Sequence, residues 1–313
     1  MADSPRLIFT GNVIVDIVMA IDRMPEPGGD VIASASGLTA GGGYNAMVAA
    51  QRDGLPVVFA GQYGTGGFGT IVRTALADAG FAVAQTGIDD VDSGFTVALV
   101  DASTERTFVT SRGAEGRLTR ADLDRVEVRP ADLVYVSGYS LAHPVNAEAL
   151  PGWLEALPAG VRVLFDPSPL VDTFAPELLG RVLAATDVVS VNAREARLMT
   201  GGVDLAAAAV ALAGRTRGGA AIVRDGAAGC WVVEQGAPAA ELVPGLPVDA
   251  VDSNGAGDAH GGVLAAALSR GDDLVAAARR ANVAAAIAVT RRGPATAPTA
   301  EEIDRELERA TRG

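Results

Sequence analysis

The sequence predicts an α/β protein whose central, mostly parallel sheet is covered by helices on both faces. Short apolar runs rich in β-branched residues alternate with Ala/Leu-rich segments through most of the 313 residues, as is typical of βαβ units. Strand candidates are residues 7–10, 57–60, 133–137, 161–165, 188–191 and 221–224. Helix candidates are residues 45–53, 69–79, 146–157 and 205–215. In such a fold, ligands bind at the carboxyl ends of the strands.

Two segments interrupt the alternation and predict a smaller, separate sheet. In residues 17–40, prolines and glycines cluster too densely for a helix. Residues 93–112 indicate two strands, 95–100 and 106–110, around a polar turn at 101–104. We expect these insertions to form a lid over the ligand-binding edge of the sheet. The alternative is a surface hairpin that decorates the domain.

Composition limits the classes of partner. The formal net charge is −13, so the chain lacks the basic surface that binds nucleic acid or anionic membranes. Cys230 is the only cysteine, which excludes an internal disulfide framework and suits a reducing compartment. No apolar run reaches the roughly 18 residues of a membrane span, and residues 1–6 lack a signal-peptide pattern. We expect one cytoplasmic domain over residues 1–313, with no nucleic-acid or membrane partner.

The most informative motif is a glycine-rich turn at residues 252–258, Asp-Ser-Asn-Gly-Ala-Gly-Asp. It lies between a strand end predicted at 247–251 and an Ala/Leu-rich helix predicted at 259–270. The first N–H groups of a helix lack backbone partners and carry the positive end of its dipole, so this turn can hold a phosphate. Asp258 would then lie beside a bound anion, which indicates a carboxylate that handles a proton. The alternative is an ordinary left-handed turn that caps the helix.

Three further motifs precede this turn. Gly-Asn-Val-Ile-Val-Asp at 11–16 follows the first strand, and Gly-Gly-Gly-Tyr-Asn-Ala at 41–46 opens a helix. Asn-Ala-Arg-Glu at 192–195 follows a core strand and precedes a glycine loop at 224–229. Together with residues 252–258, these motifs resemble the ribokinase (PfkB) family of ATP-dependent sugar and nucleoside kinases, in order and over nearly the full length.

The resemblance implies a ribokinase-like three-layer αβα sandwich with a small β-sheet lid, and a homodimer that pairs through the lids. It also assigns roles to the turn. Asp258 would be the general base that takes the proton from the attacking hydroxyl. The N–H groups of Gly255, Ala256 and Gly257 would form an anion hole for the transferred γ-phosphoryl group.

On the acceptor side, the resemblance implies that Asp16 accepts hydrogen bonds from sugar hydroxyls; taken alone, it would be a turn or cap residue. Gly41 and Gly42 would let the backbone approach the substrate closely. Asn45 would bind hydroxyls or cap its helix. These four residues are the predicted substrate site.

On the nucleotide side, Asn192 would lie near the phosphates and Glu195 would reach Mg²⁺ through water, since Mg²⁺ prefers oxygen ligands and retains waters. Without that context, Glu195 would be an exposed helix residue. Arg224 would meet a phosphate or pair with an acid. The other predicted ATP contacts are Gly226, Gly229 and Asn282, whose side chain would face the adenine beside Ala285 and Ala286.

The resemblance further implies a site for a monovalent cation. Its ligands would be Asp252 and carbonyl groups of four other residues: Asn254, Ala288, Arg291 and Gly293. Members of the family differ in their dependence on K⁺, so the sequence leaves the use of this site open.

Several departures from the family pattern fall on the acceptor side. Ile14 stands where ribokinase itself has a polar side chain, and Gly66 replaces an aspartate of a Gly-x-Asp-x-x-Gly motif. Residues 138–140 lack the acid that ribokinase uses for its sugar. His260 replaces a phenylalanine, and we interpret it as a helix-packing residue. The phosphoryl-transfer residues are therefore intact while the acceptor-binding residues are altered.

These observations predict Mg·ATP-dependent phosphorylation of a hydroxymethyl group of a sugar, by direct transfer. The alternative is a nucleoside kinase, with Tyr44 or Phe95 stacking on a base. A further alternative is a catalytically idle sensor of sugar or nucleotide, because a fold does not guarantee chemistry. A dinucleotide-dependent dehydrogenase is disfavoured, since no Gly-x-Gly-x-x-Gly follows the first strand.

Overall fold

The structure is a computed structural model that describes residues 4–102, 106–202 and 204–312. Its strands are β1 (Leu7–Phe9), β2 (Val13–Ala20), β3 (Ala35–Gly42), β4 (Val57–Phe59), β5 (Ala82–Val83), β6 (Phe95–Val100), β7 (Arg106–Ser111), β8 (Leu133–Ser137), β9 (Arg162–Asp166), β10 (Val188–Asn192), β11 (Ala220–Arg224), β12 (Gly229–Val233) and β13 (Glu241–Pro244). Its helices are α1 (Tyr44–Arg52), α2 (Gly67–Asp78), α3 (Arg120–Asp124), α4 (Gly138–Leu141), α5 (Pro144–Glu155), α6 (Pro176–Ala184), α7 (Ala193–Thr200), α8 (Leu205–Ala213), α9 (Ala256–Arg270), α10 (Leu274–Val289) and α11 (Ala300–Arg312).

The large sheet has the strand order β13-β12-β11-β10-β9-β8-β1-β4-β5. Strands from β11 to β5 pair in parallel, while β12 and β13 add an antiparallel hairpin at one edge. Leu7 and Phe9 of β1 face one buried apolar cluster and Ile8 faces another. Because successive side chains of a strand point to opposite faces, the two clusters lie on opposite sides of the sheet. The predicted α/β class with a mostly parallel sheet is confirmed.

The predicted core elements are found with small shifts at their ends. Each of the six strand candidates corresponds to a strand of the large sheet, and each of the four helix candidates to a helix. The strand end predicted at 247–251 is wrong, because β13 ends at Pro244 and residues 245–252 form no strand. Pairing with β12 stops at Pro244, and Pro247 has no N–H to extend it.

The small sheet has the strand order β3-β2-β6-β7. It extends beyond the segments predicted for it, since β2 begins at Val13 and β3 ends at Gly42. Residues 21–34, which carry the proline and glycine cluster, form the irregular connection between these strands. The polar turn predicted at 101–104 lies partly outside the described residues. The sheet therefore starts right after the first core strand, and this places Asp16 beside the large sheet.

Among the described residues, no single helix is long and apolar enough to cross a bilayer. The pair α7 and α8, bent by 64° at a break, meets the criteria of length and composition only when taken together. Cys230 is buried in β12, and burial raises the pKa of its thiol to about 11. A thiol of this kind stays protonated and packs as a core residue.

Candidate active site

The candidate site lies where the carboxyl ends of the central strands meet the amino ends of α1, α7 and α9. It consists of two adjoining cavities. We call the one of ≈ 430 Å³ next to the small sheet the acceptor cavity, and the one of ≈ 410 Å³ beside α10 the nucleotide cavity. Asn192, Arg224 and Gly257 line both cavities and therefore mark their junction.

Asp258 lies in the first turn of α9 and lines the acceptor cavity. The turn before it depends on Gly255, whose left-handed φ of 75° is strained for other residues. Burial raises the pKa of Asp258 to about 7, although a hydrogen bond from Asn45 opposes the shift. The carboxylate therefore changes its charge near neutral pH, which suits a general base.

A close crossing of α1 and α9 brings Asn45 to Asp258. A side chain on Gly262 of α9 would come within 2.2 Å of the Ala46 carbonyl oxygen, so only glycine allows this approach. Asn45 Nδ2 then donates to Asp258 Oδ2 at 3.3 Å, and Asn45 Oδ1 accepts from the Ala295 N–H at 2.9 Å. The amide is thus held from both sides, and it orients the carboxylate.

Asp16 lines the acceptor cavity from β2, and burial raises its pKa to about 6. Gly41 lies against it on β3. A Cβ on Gly41 would fall 2.0 Å from Asp16 Oδ2, so the position of the carboxylate requires glycine there. Gly42 also lines the cavity, with a positive φ of 62°. The structure thus brings the four predicted substrate residues to one cavity or its wall.

Two further polar side chains line the acceptor cavity, and sequence reasoning missed both. Asn12 Oδ1 and Ser168 Oγ are buried and have no hydrogen-bond partner within the described part of the chain. Buried polar atoms rarely stay unpaired, so these two are available to a substrate hydroxyl. Asn12 carries a signal in the sequence, because it belongs to the 11–16 motif. Ser168 carries none; it follows β9 with a left-handed φ of 63°.

Arg224 is held between two acids at the cavity junction. Its Nη1 donates to Asp166 Oδ2 at 3.0 Å and to Ser190 Oγ at 3.1 Å, while its Nη2 lies 3.7 Å from Glu195 Oε2. The sequence left open whether Arg224 pairs with an acid, and in the structure it does. Asp166 was not predicted, because a carboxylate at a strand end has no motif of its own. Its strand, β9, lies beside β10, which ends at Asn192.

Asn192 and Glu195 form a capping box at the start of α7. The Asn192 side chain accepts from the Glu195 N–H at 2.9 Å, and Glu195 Oε2 accepts from the Asn192 N–H at 2.8 Å. Glu195 is only 1% exposed, and burial and the Asp166 carboxylate raise its pKa. The capping box alone fixes the Glu195 side chain near the junction of the two cavities, and Glu195 lines the acceptor cavity.

The nucleotide cavity has mostly apolar walls. They comprise Gly226, Ala227, Gly229, Leu246, Val248, Ala250, Ala285, Ala286 and Val289. Asn282 also lines this cavity, and its Nδ2 donates to the carbonyl oxygens of Val243 at 3.0 Å and Pro244 at 3.3 Å. Its amide nitrogen therefore holds β13 against α10. His260 also lines the cavity; burial and nearby Arg224 lower its pKa to about 3, so the ring is neutral.

Comparison with known proteins gives this geometry a family. The sequence model of the pfkB family carbohydrate kinases matches residues 5–301. The chain belongs to the PfkB family. It is 32% identical to YegV, an uncharacterized sugar kinase of Escherichia coli, over 95% of this chain and 92% of that one. It is also 32% identical to an ATP-dependent ribose-1-phosphate kinase of Halopiger xanaduensis, over 95% and 96% of the two chains.

Solved ribokinases share the fold. So does the Burkholderia thailandensis nucleoside kinase in complex with inosine, with a TM-score of 0.79, 21% identity and coverage of 98% of this chain and 99% of that one. The ribokinase-like fold and the assignment as a phosphotransferase are thereby confirmed. The names of these relatives cover a sugar, a sugar phosphate and a nucleoside, so membership of the PfkB family does not define the acceptor.

One departure from the PfkB pattern has a structural explanation. Gly66, which replaces an aspartate, is the N-cap of α2, and the Asp92 carboxylate accepts from the N–H groups of Phe68 at 2.9 Å and Gly69 at 2.7 Å. A Cβ on Gly66 would lie 2.5 Å from the Asp92 carboxyl carbon. The capping acid therefore comes from another segment, and Gly66 does not line the acceptor cavity.

The aromatic rings predicted to stack on a base pack elsewhere. Tyr44 lies against Phe81, with ring centroids 5.9 Å apart, and Phe95 lies against Phe68 at 4.9 Å. Phe108 and Tyr139 line the acceptor cavity instead. They are 56% and 43% exposed, so both rings are accessible to a ligand.

The acid of the predicted cation site is engaged by a cation from the small sheet. Arg106 Nη2 donates to Asp252 Oδ2 at 2.8 Å, and the Asn254 N–H donates to Asp252 Oδ1 at 3.0 Å. Burial alone would raise the pKa of Asp252, but these hydrogen bonds and one from Gly293 lower it. Sequence reasoning missed Arg106, because it is distant in the chain from the 252–258 turn.

Proposed function

We propose that this PfkB-family protein transfers the γ-phosphoryl group of ATP to a hydroxymethyl oxygen of a sugar. One observation carries the proposal: Asp258, with a pKa raised to about 7, lies at the amino end of α9 in the acceptor cavity, next to the junction residue Gly257. A base at that place faces both an acceptor hydroxyl and the phosphate that the hydroxyl attacks.

The step needs one proton acceptor and one anion site. Asp258 takes the hydroxyl proton as the acceptor oxygen forms its bond to phosphorus and the bond to the ADP oxygen breaks. The N–H groups of Gly255, Ala256 and Gly257 stabilise the charge on the phosphoryl oxygens, reinforced by the dipole of α9. Of these, Ala256 makes only a long contact of 3.4 Å with the Ser253 carbonyl oxygen. No covalent phosphoenzyme is required.

The acceptor cavity supplies hydroxyl-binding groups. Asp16 accepts hydrogen bonds from two neighbouring hydroxyls, while Asn12 and Ser168 offer unpaired polar atoms. Arg224 is the one cationic side chain among the described residues that line this cavity, and its charge is already balanced by Asp166 and Glu195. This balance favours an uncharged acceptor over a phosphorylated one.

The nucleotide cavity would hold ATP, with the base against Ala285 and Ala286 and the phosphates directed to Asn192 and Arg224. Glu195 keeps lone pairs free beyond its two bonds to Asn192, and no group of three His, Cys, Asp or Glu side chains among the described residues would hold a metal directly. This donor set fits Mg²⁺, which retains waters and takes ligands from phosphates. Glu195 would hold the ion through water, and the bound ion neutralises phosphoryl charge.

A nucleoside is the second candidate acceptor. Phe108 and Tyr139 are the observation that favours it, since both rings are partly exposed in the acceptor cavity. An aromatic ring there would stack on a base attached to the ribose.

An ADP-release screen over hexoses, pentoses, sugar phosphates and nucleosides tests the proposal and separates the candidates. We expect turnover with at least one free sugar, and the Phe108→Ala variant should keep most of it. Turnover confined to nucleosides, and lost in that variant, would establish the second candidate. Failure of every acceptor to release ADP would contradict both and favour a sensor.

We also propose that the small sheet, formed by β2, β3, β6 and β7 within a single domain, is a lid that excludes water, and that two copies pair through it. Leu38 and Val109 support pairing, as their apolar side chains are 54% and 64% exposed on this sheet. Sedimentation velocity should show a dimer that the Val109→Asp variant dissociates. A wild-type protein that sediments as a monomer at micromolar concentration would refute the pairing.

A further inference from the structure

The ion pair between Arg106 and Asp252 joins the small sheet to the turn that contains the anion hole. Arg106 begins β7, and Asp252 begins the 252–258 turn. Their side chains are 28% and 10% exposed, so the contact is largely shielded from solvent. The small sheet and a loop of the large sheet thus meet through opposite charges at the start of the 252–258 turn.

One of the four carbonyl groups expected to ligate a monovalent cation, that of Ala288, is also engaged, and a backbone donor faces the acid. Asp252 Oδ2 accepts from the Gly293 N–H at 3.3 Å, which turns a donor toward the acid. The Ala288 carbonyl oxygen accepts from the Arg291 N–H at 3.1 Å and from Thr296 Oγ1 at 3.2 Å. Both lone pairs of that carbonyl are therefore used. Asp252 and Ala288 therefore do not fit the predicted K⁺ site, because N–H and O–H donors occupy the oxygens that a cation would need from these two residues.

We propose that the Arg106 guanidinium takes the place of a monovalent cation and holds Asp252 and the anion-hole turn in position. A guanidinium is always charged and donates directional hydrogen bonds, so it can balance the acid as a bound ion would. The inference rests on the proposed phosphoryl transfer. Arg106 touches no reacting atom in this arrangement; it is a positioning residue that acts through Asp252.

Because Arg106 lies on β7, its contact with Asp252 depends on the position of the small sheet. A dissolved cation would order the turn whether or not the small sheet were seated. Arg106 orders it only when β7 lies against the loop that contains Asp252. The anion-hole turn is therefore held in position only when the small sheet closes. Closure over the acceptor and ordering of this turn are thereby coupled.

The experiment measures turnover in K⁺ and in tetramethylammonium at equal ionic strength. Wild-type kcat should be the same in both salts. In tetramethylammonium, Arg106→Ala should lose about tenfold or more in kcat, as expected when a charged hydrogen bond is removed, and K⁺ or free guanidinium should restore part of it. Arg106→Lys should lose less than Arg106→Ala. The control is Arg112→Ala, an exposed arginine just beyond the other end of β7, which should behave as wild type.

A second readout does not depend on turnover and so separates this inference from the proposed function. K⁺ should raise the melting temperature of Arg106→Ala and leave that of the wild type unchanged, because only the variant exposes Asp252 to the ion. Strong activation or thermal stabilisation of the wild type by K⁺ would overturn the inference. So would an Arg106→Ala variant that matches the wild type in both salts and both measurements.

Discussion

Asn45 Nδ2 donates to Asp258 Oδ2 at 3.3 Å, while its Oδ1 is fixed by the Ala295 N–H at 2.9 Å. The bond lowers the pKa of Asp258 against the effect of burial. A residue predicted to bind the substrate therefore also orients the candidate base. This relationship makes the proton affinity of Asp258 depend on a side chain from a different helix.

Asn45→Ala should shift the acidic limb of the kcat/KM profile to higher pH. Burial raises the pKa of Asp258, and the hydrogen bond from Asn45 partly offsets this effect. Without the hydrogen bond the pKa rises further, so a smaller fraction of Asp258 is deprotonated at neutral pH. We expect about a tenfold loss at pH 7, the size of one hydrogen bond to a charged group. A pH profile with an unchanged midpoint would show that the contact does not tune the base.

In the wild type, deprotonation of Asp258 should raise activity and lower stability as the pH increases. kcat/KM should rise through a midpoint near the Asp258 pKa of about 7. Asp16 and Asp258 have folded pKa values of about 6 and about 7, above the ordinary 3.8. The folded state therefore binds more protons than the unfolded state between these values, and stability present below about pH 4 is lost as the pH rises toward 7.

Calorimetry at pH 5 and pH 8 measures that loss. The Asp258→Asn variant should melt higher than the wild type at pH 8, and the difference should shrink at pH 5, where the wild-type carboxyl is protonated. A difference that is equal at both pH values would mean that Asp258 titrates normally.

Gly41→Ala should raise the KM for the acceptor and leave the KM for ATP nearly unchanged. The added Cβ would lie 2.0 Å from Asp16 Oδ2, so the carboxylate must move. We expect an increase of about tenfold or more, as for loss of a charged hydrogen bond. Gly37→Ala is the matched control on β3, since a Cβ there meets no atom within 4 Å. Equal effects of the two variants would show that the glycine serves only the strand.

Glu195→Gln and Glu195→Ala should separate the structural and chemical roles of Glu195. Glutamine preserves the capping box with Asn192, so its melting temperature should stay close to that of the wild type. Alanine loses the cap at a cost of about 1 kcal/mol. Both should need more Mg²⁺ for half-maximal activity, because the carboxylate is gone. Glutamine with a wild-type Mg²⁺ dependence would restrict Glu195 to capping.

The strand and helix order of the core was predictable because its signals are local. β1 and β8 are short apolar runs, and α9 is rich in alanine. The irregular segment after β13 was misread because Val248 and Val251 look like strand residues, whereas Pro247 and the end of pairing with β12 decide the outcome. The spacing of apolar residues in a sequence does not show whether a segment has a neighbouring strand to pair with.

The site was predictable where residues belong to an ordered sequence motif, as Asp16, Asn192 and Asp258 do. It was not predictable where function arises from contacts between distant segments. Arg106 meets Asp252 across 146 positions, and Arg224 meets Asp166 across 58. No periodicity or spacing encodes such pairs, since each depends on how two sheets or two strands are placed in space.

The central claim is that Asp258 is the base of a phosphoryl transfer, and Asp258→Asn tests it most directly. Asparagine keeps the shape of the side chain but cannot take the proton. With the acceptor found in the screen, kcat should fall by about 10²–10⁴-fold, the contribution typical of general-base catalysis, while the dissociation constant for ATP stays close to that of the wild type. An asparagine variant that binds ATP normally and keeps more than a few per cent of wild-type kcat would contradict the account.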